Sequence, residues 1–332
     1  MTPSGRPAPR LDAAGVARAA TVFGLGEPLA PARLAARGQQ GIVWRLRTGR
    51  GAFAVKELLV PVAEDDLAAE LALLPEMLRR GVPAPGPVRS LDGPVLARIG
   101  GALVRVATWV DVEDARTDLD PRALGALLAV LHRDPLPAHG PVDPWYTDGV
   151  PPHTWEEVAQ ALAGARAPFA AEFAASVPGF LDLQEAFRPP ETVQLCHRDL
   201  WANNLRATPD GGLCVLDWDN CGPAGATQEL AVVLVEFCAG DAERVGALCR
   251  AYLAAGGRGL PAEPGDLTMV LAQFGHFALT AGRRWLAAGD DDARARAEAW
   301  FREGYEHPLD RRGVEELLSA VRAAVRAAGR PA

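Results

Sequence analysis

The segment Leu195-Cys196-His197-Arg198-Asp199-Leu200-Trp201-Ala202-Asn203-Asn204, with Val215-Leu216-Asp217-Trp218-Asp219 after it, constrains this 332-residue chain more than any other stretch. Two short apolar runs, Val193 to Cys196 and Leu213 to Leu216, read as strands, and each ends in a polar turn. An acidic side chain in such a turn either caps the turn itself or belongs to a site carried on a rigid scaffold. Taken singly, Asp199 and Asp217 fit the first reading at least as well as the second. Taken together with His197 and Asn204, in register between short strands, they form an ordered set that chance rarely produces.

Upstream of this segment the pattern is β-rich. A Pro- and Ala-rich start, residues 1–30, carries one short helical pattern around Ala14 to Phe23. From Leu34 to Leu59 the periodicity turns to strands: Ile42, Trp44 and Leu46 alternate, Thr48-Gly49-Arg50-Gly51 turns, and Phe53 to Leu58 runs back with Lys56 on it. Glu64 to Arg80 predicts a helix bearing Glu70, with Leu67, Leu71, Leu74 and Leu78 on one face and Gly81 as its C-cap. Val88 to Ser90 and Pro94 to Arg98 read as strands joined at Asp92-Gly93, and Ala102 to Val110 as a last strand.

Beyond Asp111 the chain reads as mainly helical. The expected helices are Arg122 to His132, Thr154 to Ala163, Phe169 to Val177, Leu181 to Phe187, Ala226 to Ala239, Ala242 to Ala255, Leu267 to Ala287, Asp291 to Tyr305 and Arg312 to Ala328. The sequence therefore predicts an α+β chain in three stretches: an extension over 1–30, a β-rich lobe over 31–110 and a helical lobe over 111–332.

Composition removes several classes. A net charge of −8 gives no basic field for nucleic acid or an anionic membrane surface, and suits a cationic or neutral partner. Five cysteines without a close pair indicate neither a disulfide framework nor a zinc ribbon. With no signal-like start and no long apolar run, the expectation is a cytoplasmic protein with no membrane partner, a monomer or a homodimer.

The chemistry of the set follows from its side chains. Transfer of a phosphoryl group needs a carboxylate beside the attacking hydroxyl, and Asp199 is placed for that. It also needs oxygen ligands for magnesium, which Asn204 and Asp217 supply from adjacent turns. His197 reads as a brace for the loop backbone, and Asn203 as a turn-former.

These residues give the chain its resemblance to the aminoglycoside phosphotransferase and choline-kinase-like superfamily, from about Arg33 to the last helix. The resemblance implies a protein-kinase-like, two-lobed fold, with Asp199 as catalytic base and Asn204 and Asp217 as metal ligands. It implies that Lys56 grips the α- and β-phosphates of ATP or GTP and that Glu70 holds Lys56. Gly38 and Gly41 would border the loop over the phosphates, and the backbone of Thr108, Trp109 and Val110 would meet the base edge. Glu229 matches a position that supports the catalytic loop, with N-terminal helix capping as the simpler account. Asp219 reads as a second metal ligand or its neighbour, or as a surface turn residue. Arg198 and Trp201 depart from the usual antibiotic-kinase loop; Trp201 reads equally as an acceptor wall and as core.

The acceptor is expected to be a hydroxylated small molecule, either an antibiotic or a related metabolite. A housekeeping amino alcohol, sugar or amino acid is the alternative, and a nucleotide-binding pseudokinase a further one. Acidic candidates for a cationic acceptor are Asp290, Asp291, Asp292, Glu298 and Glu303, although such runs more often open a solvated helix. Trp145, Tyr146, Trp155, Phe274, Trp285, Trp300 and Tyr305 are candidates for a pocket, with core packing the commoner fate.

Overall fold

The computed structural model describes residues 10–38, 41–305, 309–327 and 329. The first part of the chain runs α1 (Ala13–Val22), β1 (Arg33–Arg37), β2 (Gly41–Thr48), β3 (Gly51–Leu58), α2 (Glu64–Arg79), β4 (Pro87–Val88), β5 (Leu96–Ile99) and β6 (Ala102–Thr108). The remainder runs α3 (Pro121–His132), α4 (Pro152–Gly164), α5 (Ala170–Gln184), β7 (Gln194–Cys196), β8 (Leu205–Ala207), β9 (Leu213–Val215), β10 (Gly222–Ala224), α6 (Ala226–Cys238), α7 (Ala242–Ala254), α8 (Thr268–Ala287), α9 (Asp291–Tyr305) and α10 (Arg311–Ala327). Two compact units divide it: residues 1–68, 83–114 and 206–216 in one, and 69–82, 115–205 and 217–332 in the other.

The first unit is built on an antiparallel sheet in the order β1-β2-β3-β6-β4, with β5 also paired to β6. Alternation along β2 and β6 gives each one buried face, and that face packs under α1. Val16, Ala19 and Phe23 meet Leu46, Val55, Val104 and Val106 there, so the helix expected in an N-terminal extension is part of this unit's core. Glu57, 1% exposed, turns inward and accepts the backbone N–H groups of Arg10 (2.8 Å) and Leu11 (3.2 Å), which fixes how the chain enters α1. The expected hairpin at Asp92-Gly93 is not formed: β4 and β5 each pair with β6 and not with each other. The turn signal is real, since the Gly93 N–H donates to Ser90 O at 2.9 Å, but β6 offers a longer ladder than either strand offers the other.

α2 ends as its sequence demands. Gly81 is left-handed (φ 83°), Val82 N–H reaches Met77 O at 2.9 Å and Gly81 N–H reaches Leu78 O at 3.0 Å, a Schellman closure.

The second unit is helical, with one small antiparallel strand pair, β7 with β10; the other, β8 with β9, belongs from residue 206 on to the first unit. Its core joins α4, α5, α8 and α9 through Trp155, Phe169, Phe173, Trp285 and Phe301. Two helices expected over 169–187 are one, α5, because Pro178 is carried inside it. A helix-interior proline costs about 3 kcal/mol, and the buried Phe173 and Leu183 on its two sides hold the helix continuous against that cost. Among the described residues no helix is long and apolar enough to cross a membrane.

Candidate functional site

The loop leaving β7 is set by Arg198, whose backbone is left-handed at φ 67°. A non-glycine residue pays of order 1 kcal/mol there, so the surroundings must hold it. Its N–H donates to Glu229 Oε1 (2.5 Å), and its carbonyl accepts from Gln273 Nε2 on α8 (3.1 Å). The guanidinium Nε donates to Asn220 O (2.5 Å) and Nη2 to Cys221 O (3.1 Å), and Cζ lies 4.6 Å over the Tyr146 ring. A Cβ at Gly222 would stand 2.4 Å from that Cζ, so the glycine makes room for the buried guanidinium. Arg198 is thus a clamp joining the loop to the turn after β9.

With the backbone held, Asp199 is fixed at its carboxylate. Asn204 Nδ2 donates to both the Asp199 carbonyl and Oδ2, each at 2.9 Å, and Asn220 Nδ2 donates to the same Oδ2 at 2.9 Å. The Asp199 N–H donates to His197 Nδ1 at 3.3 Å, which leaves that nitrogen as an acceptor. Trp201 O closes the turn by accepting the N–H groups of Asn204 and Leu205, each at 2.8 Å, and Glu236 Oε1 takes the Ala202 N–H at 3.0 Å. Asn203 is exposed at this turn and Asn204 half-buried.

Asp217 opens the turn after β9 in a left-handed conformation (φ 52°) and is exposed; Asp219 is half-buried. The turn is anchored at two points, since Trp218 meets the His197 ring edge-on at 4.8 Å and Asn220 reaches Asp199. His197 is therefore packed between its own loop and the Asp217 turn, at 1% exposure.

Glu229 is buried in the first turn of α6. Besides the Arg198 N–H, it faces His132 Nε2 at 2.9 Å, and His132 Nδ1 faces the Tyr252 hydroxyl at 3.2 Å. Burial alone would raise its carboxyl; the His132 hydrogen bond and charge, the Arg198 N–H and His197 outweigh that and hold it below the ordinary value. Glu70, on α2, is 2% exposed, a depth at which a carboxylate is kept only beside donors or a cation.

The remaining nominated residues lie in the first unit. Lys56 is half-buried on β3, opposite Val43 and Arg105 on its neighbouring strands. Gly41 sits beside it: a Cβ there would stand 2.7 Å from Glu57 O and 2.9 Å from Lys56 Cε, so only glycine leaves the lysine this path. The Gly38 N–H donates to Gly41 O at 2.9 Å. Thr108 and Trp109 spend their N–H groups on Gly86 O (2.8 Å) and Ala52 O (2.9 Å). Of the expected base-facing backbone donors in 108–110, this leaves Val110.

Several partners in this site carry no local sequence signal. Asn220, Glu236, Gln273, His132 and Tyr252 each act on the loop through contacts more than twenty residues away in sequence, or through one intermediary. Asn220 alone had a cue, standing directly after the Asp-Trp-Asp run.

A magnesium ion fits the donor chemistry present. Asn204 spends its amide hydrogens on Asp199, and its Oδ1 is the hard oxygen such an ion takes; Asp217 and Asp219 add carboxylates. Among the described residues no cluster of three His, Cys, Asp or Glu forms a self-sufficient metal nest.

The model of the phosphotransferase enzyme family matches residues 32–263. The chain belongs to that family. It is 29% identical over 176 residues to a homoserine kinase from Beijerinckia indica, a match covering 51% of this chain and 53% of that one; the chain thus spans about half the length of this curated relative. The family fold extends further in solved structures. A spectinomycin phosphotransferase in complex with ADP and spectinomycin superposes with a TM-score of 0.70 at 13% identity, covering 94% of this chain and 99% of that one. An aminoglycoside phosphotransferase from Alicyclobacillus acidocaldarius gives 0.59 at 16%, covering 97% and 98%. At such identities the likeness is one of fold, the protein-kinase-like phosphotransferase fold with its antiparallel sheet and helical remainder.

Proposed function

We infer that this protein is an ATP- or GTP-dependent kinase of a hydroxylated small molecule, an antibiotic or related metabolite. The observation that carries the reading is the Asp199 carboxylate, held at one oxygen by two amide donors from two different turns. Such fixing is what a general base needs in order to orient an attacking hydroxyl, and a turn cap does not need it.

In the proposed reaction the acceptor oxygen forms a bond to the γ-phosphorus and the bond from that phosphorus to the β–γ bridging oxygen breaks. The hydroxyl proton passes to an Asp199 carboxylate oxygen, and the nucleoside diphosphate leaves with the bridging oxygen. Asn204 and Asp217, with Asp219 beside them, would hold magnesium, which when bound neutralises phosphate charge. We assign Lys56 to the α- and β-phosphates, Glu70 to the positioning of Lys56, and Gly38 and Gly41 to the phosphate loop. Val110 takes the base edge, with Thr108 and Trp109 positioning it. His197 and Glu229 support the loop.

Homoserine and spectinomycin, the substrates in the relatives' names, bracket the acceptor between a small amino acid and a fused-ring antibiotic. Asp199→Ala is expected to abolish phosphate addition to any acceptor, by at least about a thousandfold, with nucleotide affinity by calorimetry changed less than about threefold. Asp217→Ala is expected to weaken magnesium-nucleotide binding as well. Turnover by the Asp199 variant at the parent rate would reject the assignment.

A further inference from the structure

The side chains nominated for the acceptor are mostly engaged elsewhere. Asp290 caps α9 at the Ala293 N–H (2.7 Å), Asp291 pairs with Arg294 (3.0 Å) and Glu298 with Arg302 (3.0 Å). Asp292 is exposed, and the side chains of Glu303 and Tyr305 lie outside the described residues. Trp145, Phe274 and Trp300 are half-exposed, and Trp155 and Trp285 are buried in the helical core. Tyr146 is buried too, and its ring lies against Arg198.

Arg198 combines a left-handed backbone (φ 67°), which this chain elsewhere gives mostly to glycines, with a cation that is only 4% exposed. A glycine there would relax the backbone and leave no charge to bury, so the reason for the arginine lies in what its guanidinium touches. The loop itself is held without it. Glu229 Oε1 and Gln273 Nε2 grip the backbone N–H and carbonyl of residue 198, and both bonds form whatever side chain stands there. The guanidinium works on the turn after β9: Nε donates to Asn220 O (2.5 Å) and Nη2 to Cys221 O (3.1 Å), two adjacent carbonyls taken by one planar fork. The amide of the same Asn220 donates to Asp199 Oδ2 at 2.9 Å. A ring of contacts thus closes, in which the arginine seats the asparagine by its backbone and the asparagine holds the carboxylate next in sequence to the arginine.

Two neighbours keep the guanidinium in this seat. The buried Tyr146 ring lies 4.6 Å from Cζ, and a cation–π contact is strongest out of water. Tyr146 is itself set in a short 3-10 turn, Pro144–Tyr146, whose N-cap Asp143 accepts the Trp145 N–H at 2.8 Å. Gly222 supplies the space: a Cβ there would stand 2.4 Å from Cζ, 2.5 Å from Nη2 and 2.7 Å from Nη1. The start of the turn has an anchor of its own, Trp218 against the His197 ring at 4.8 Å, next to Asp217.

We propose that Arg198, backed by Tyr146, is a positioning residue for phosphoryl transfer: its guanidinium seats Asn220 so that the Asn220 amide orients the Asp199 carboxylate. The proposal rests on the kinase reading for the task of Asp199, and on the contacts alone for the coupling of Arg198 to it. The arginine acts on the base and not on the phosphates, so its loss lowers the rate of transfer and leaves nucleotide affinity nearly unchanged.

Kinetics on the full chain with magnesium and ATP, and with homoserine and spectinomycin as acceptor probes, test the consequence. Arg198→Gly, which suits the left-handed backbone and is the safer fold, is expected to lower kcat by about a hundredfold, the effect that a small misplacement of a reacting group produces. The KM for ATP should stay within about threefold. Guanidinium chloride at about 20 mM, far below the molar range in which it unfolds proteins, should restore kcat at least about tenfold, and sodium chloride at the same concentration should not. Arg198→Lys should stay within about threefold of the glycine variant, because one ammonium does not span two carbonyls as the fork does. Gly222→Ala, which crowds the guanidinium, should lower kcat at least about tenfold in the parent and less than about twofold further in the Arg198→Gly background. Hydrogen-exchange mass spectrometry without nucleotide reads the coupling apart from turnover: amides of residues 218–224 should exchange at least about tenfold faster in Arg198→Gly and slow again with guanidinium. Parental kcat in Arg198→Gly, full recovery in Arg198→Lys, a loss confined to the ATP KM, or equal Gly222→Ala effects in both backgrounds overturns the proposal, as does unchanged exchange over 218–224. Absence of nucleotide turnover in the parent with every acceptor would count against the kinase reading, while the exchange result still decides the coupling.

Discussion

Asp199 Oδ2 receives hydrogens from Asn204 and Asn220, and the two amides differ in what else they do. Asn204 also bonds the Asp199 backbone carbonyl and is the proposed metal ligand, so its removal would confuse two effects. Asn220 is the cleaner probe, since its amide reaches the carboxylate while its backbone carbonyl stays with Arg198 whatever side chain it carries. A hydrogen bond to a charged group contributes about 1.5–3 kcal/mol, so Asn220→Ala should lower kcat by about tenfold to a hundredfold. If orientation of the base is what is lost, the KM for ATP stays within about twofold. Steady-state kinetics with a saturating acceptor measure both, and a rise in the ATP KM with kcat unchanged would instead place Asn220 in nucleotide binding.

At the scale of elements, the Asp199 loop depends on a buried pair between α3 and α6 that reaches α7. The Tyr252 hydroxyl lies 3.1 Å from the Arg258 carbonyl, which can only accept, so the hydroxyl's single hydrogen goes there. His132 Nδ1 then faces a hydroxyl oxygen whose hydrogen is already spent, and Nε2 lies against the Glu229 carboxyl, so His132 bridges α6 and α7. Removing one partner strands the other: His132→Ala should cost about 3–5 kcal/mol in urea unfolding. Glu229, lowered from the ordinary 4.5, contributes stability that is fully present above that value and is lost as pH falls through its folded value. The parent should therefore lose stability below about pH 4.5 more steeply than Glu229→Gln, and equal slopes in acid would exclude the pair as a source of stability. None of this network could be seen in the sequence. The α3 and α6 periodicities placed both helices, but they say nothing of which buried His meets which buried Glu across ninety-seven positions. The same holds for Gln273. By contrast His197, Asp199 and Asn204 share one loop, where spacing alone brings Asn204 onto Asp199. The errors have the same origin: β4 and β5 were paired by their local turn, although β6 takes both, and α5 was split at Pro178, although tertiary packing carries the helix through.

Taken as a whole molecule, the chain has its five cysteines distributed unequally between two units, and this makes their unfolding separately visible. Cys214 lies on β9 in the first unit, and Cys196, Cys221, Cys238 and Cys249 lie in the second. All five are buried free thiols. Burial pushes Cys214 and Cys238 up to about 11 and Cys249 to about 12, and Cys196 is raised well above its ordinary range by burial and the Glu229 charge. A thiol reagent attacks the thiolate, so the native chain should stay almost unlabelled for hours at neutral pH. Unfolding exposes thiols one unit at a time if each holds its own core, and the smaller first unit buries the smaller fraction of its chain. In a urea series with pulsed alkylation and intact-mass readout, a species bearing one label should therefore appear before one bearing five, with peptide mapping placing the first label on Cys214. A direct passage from none to five would mean that the two units unfold as one cooperative body. First labelling within the other four would mean that the helical unit, with its buried His132–Glu229 pair, is the weaker of the two.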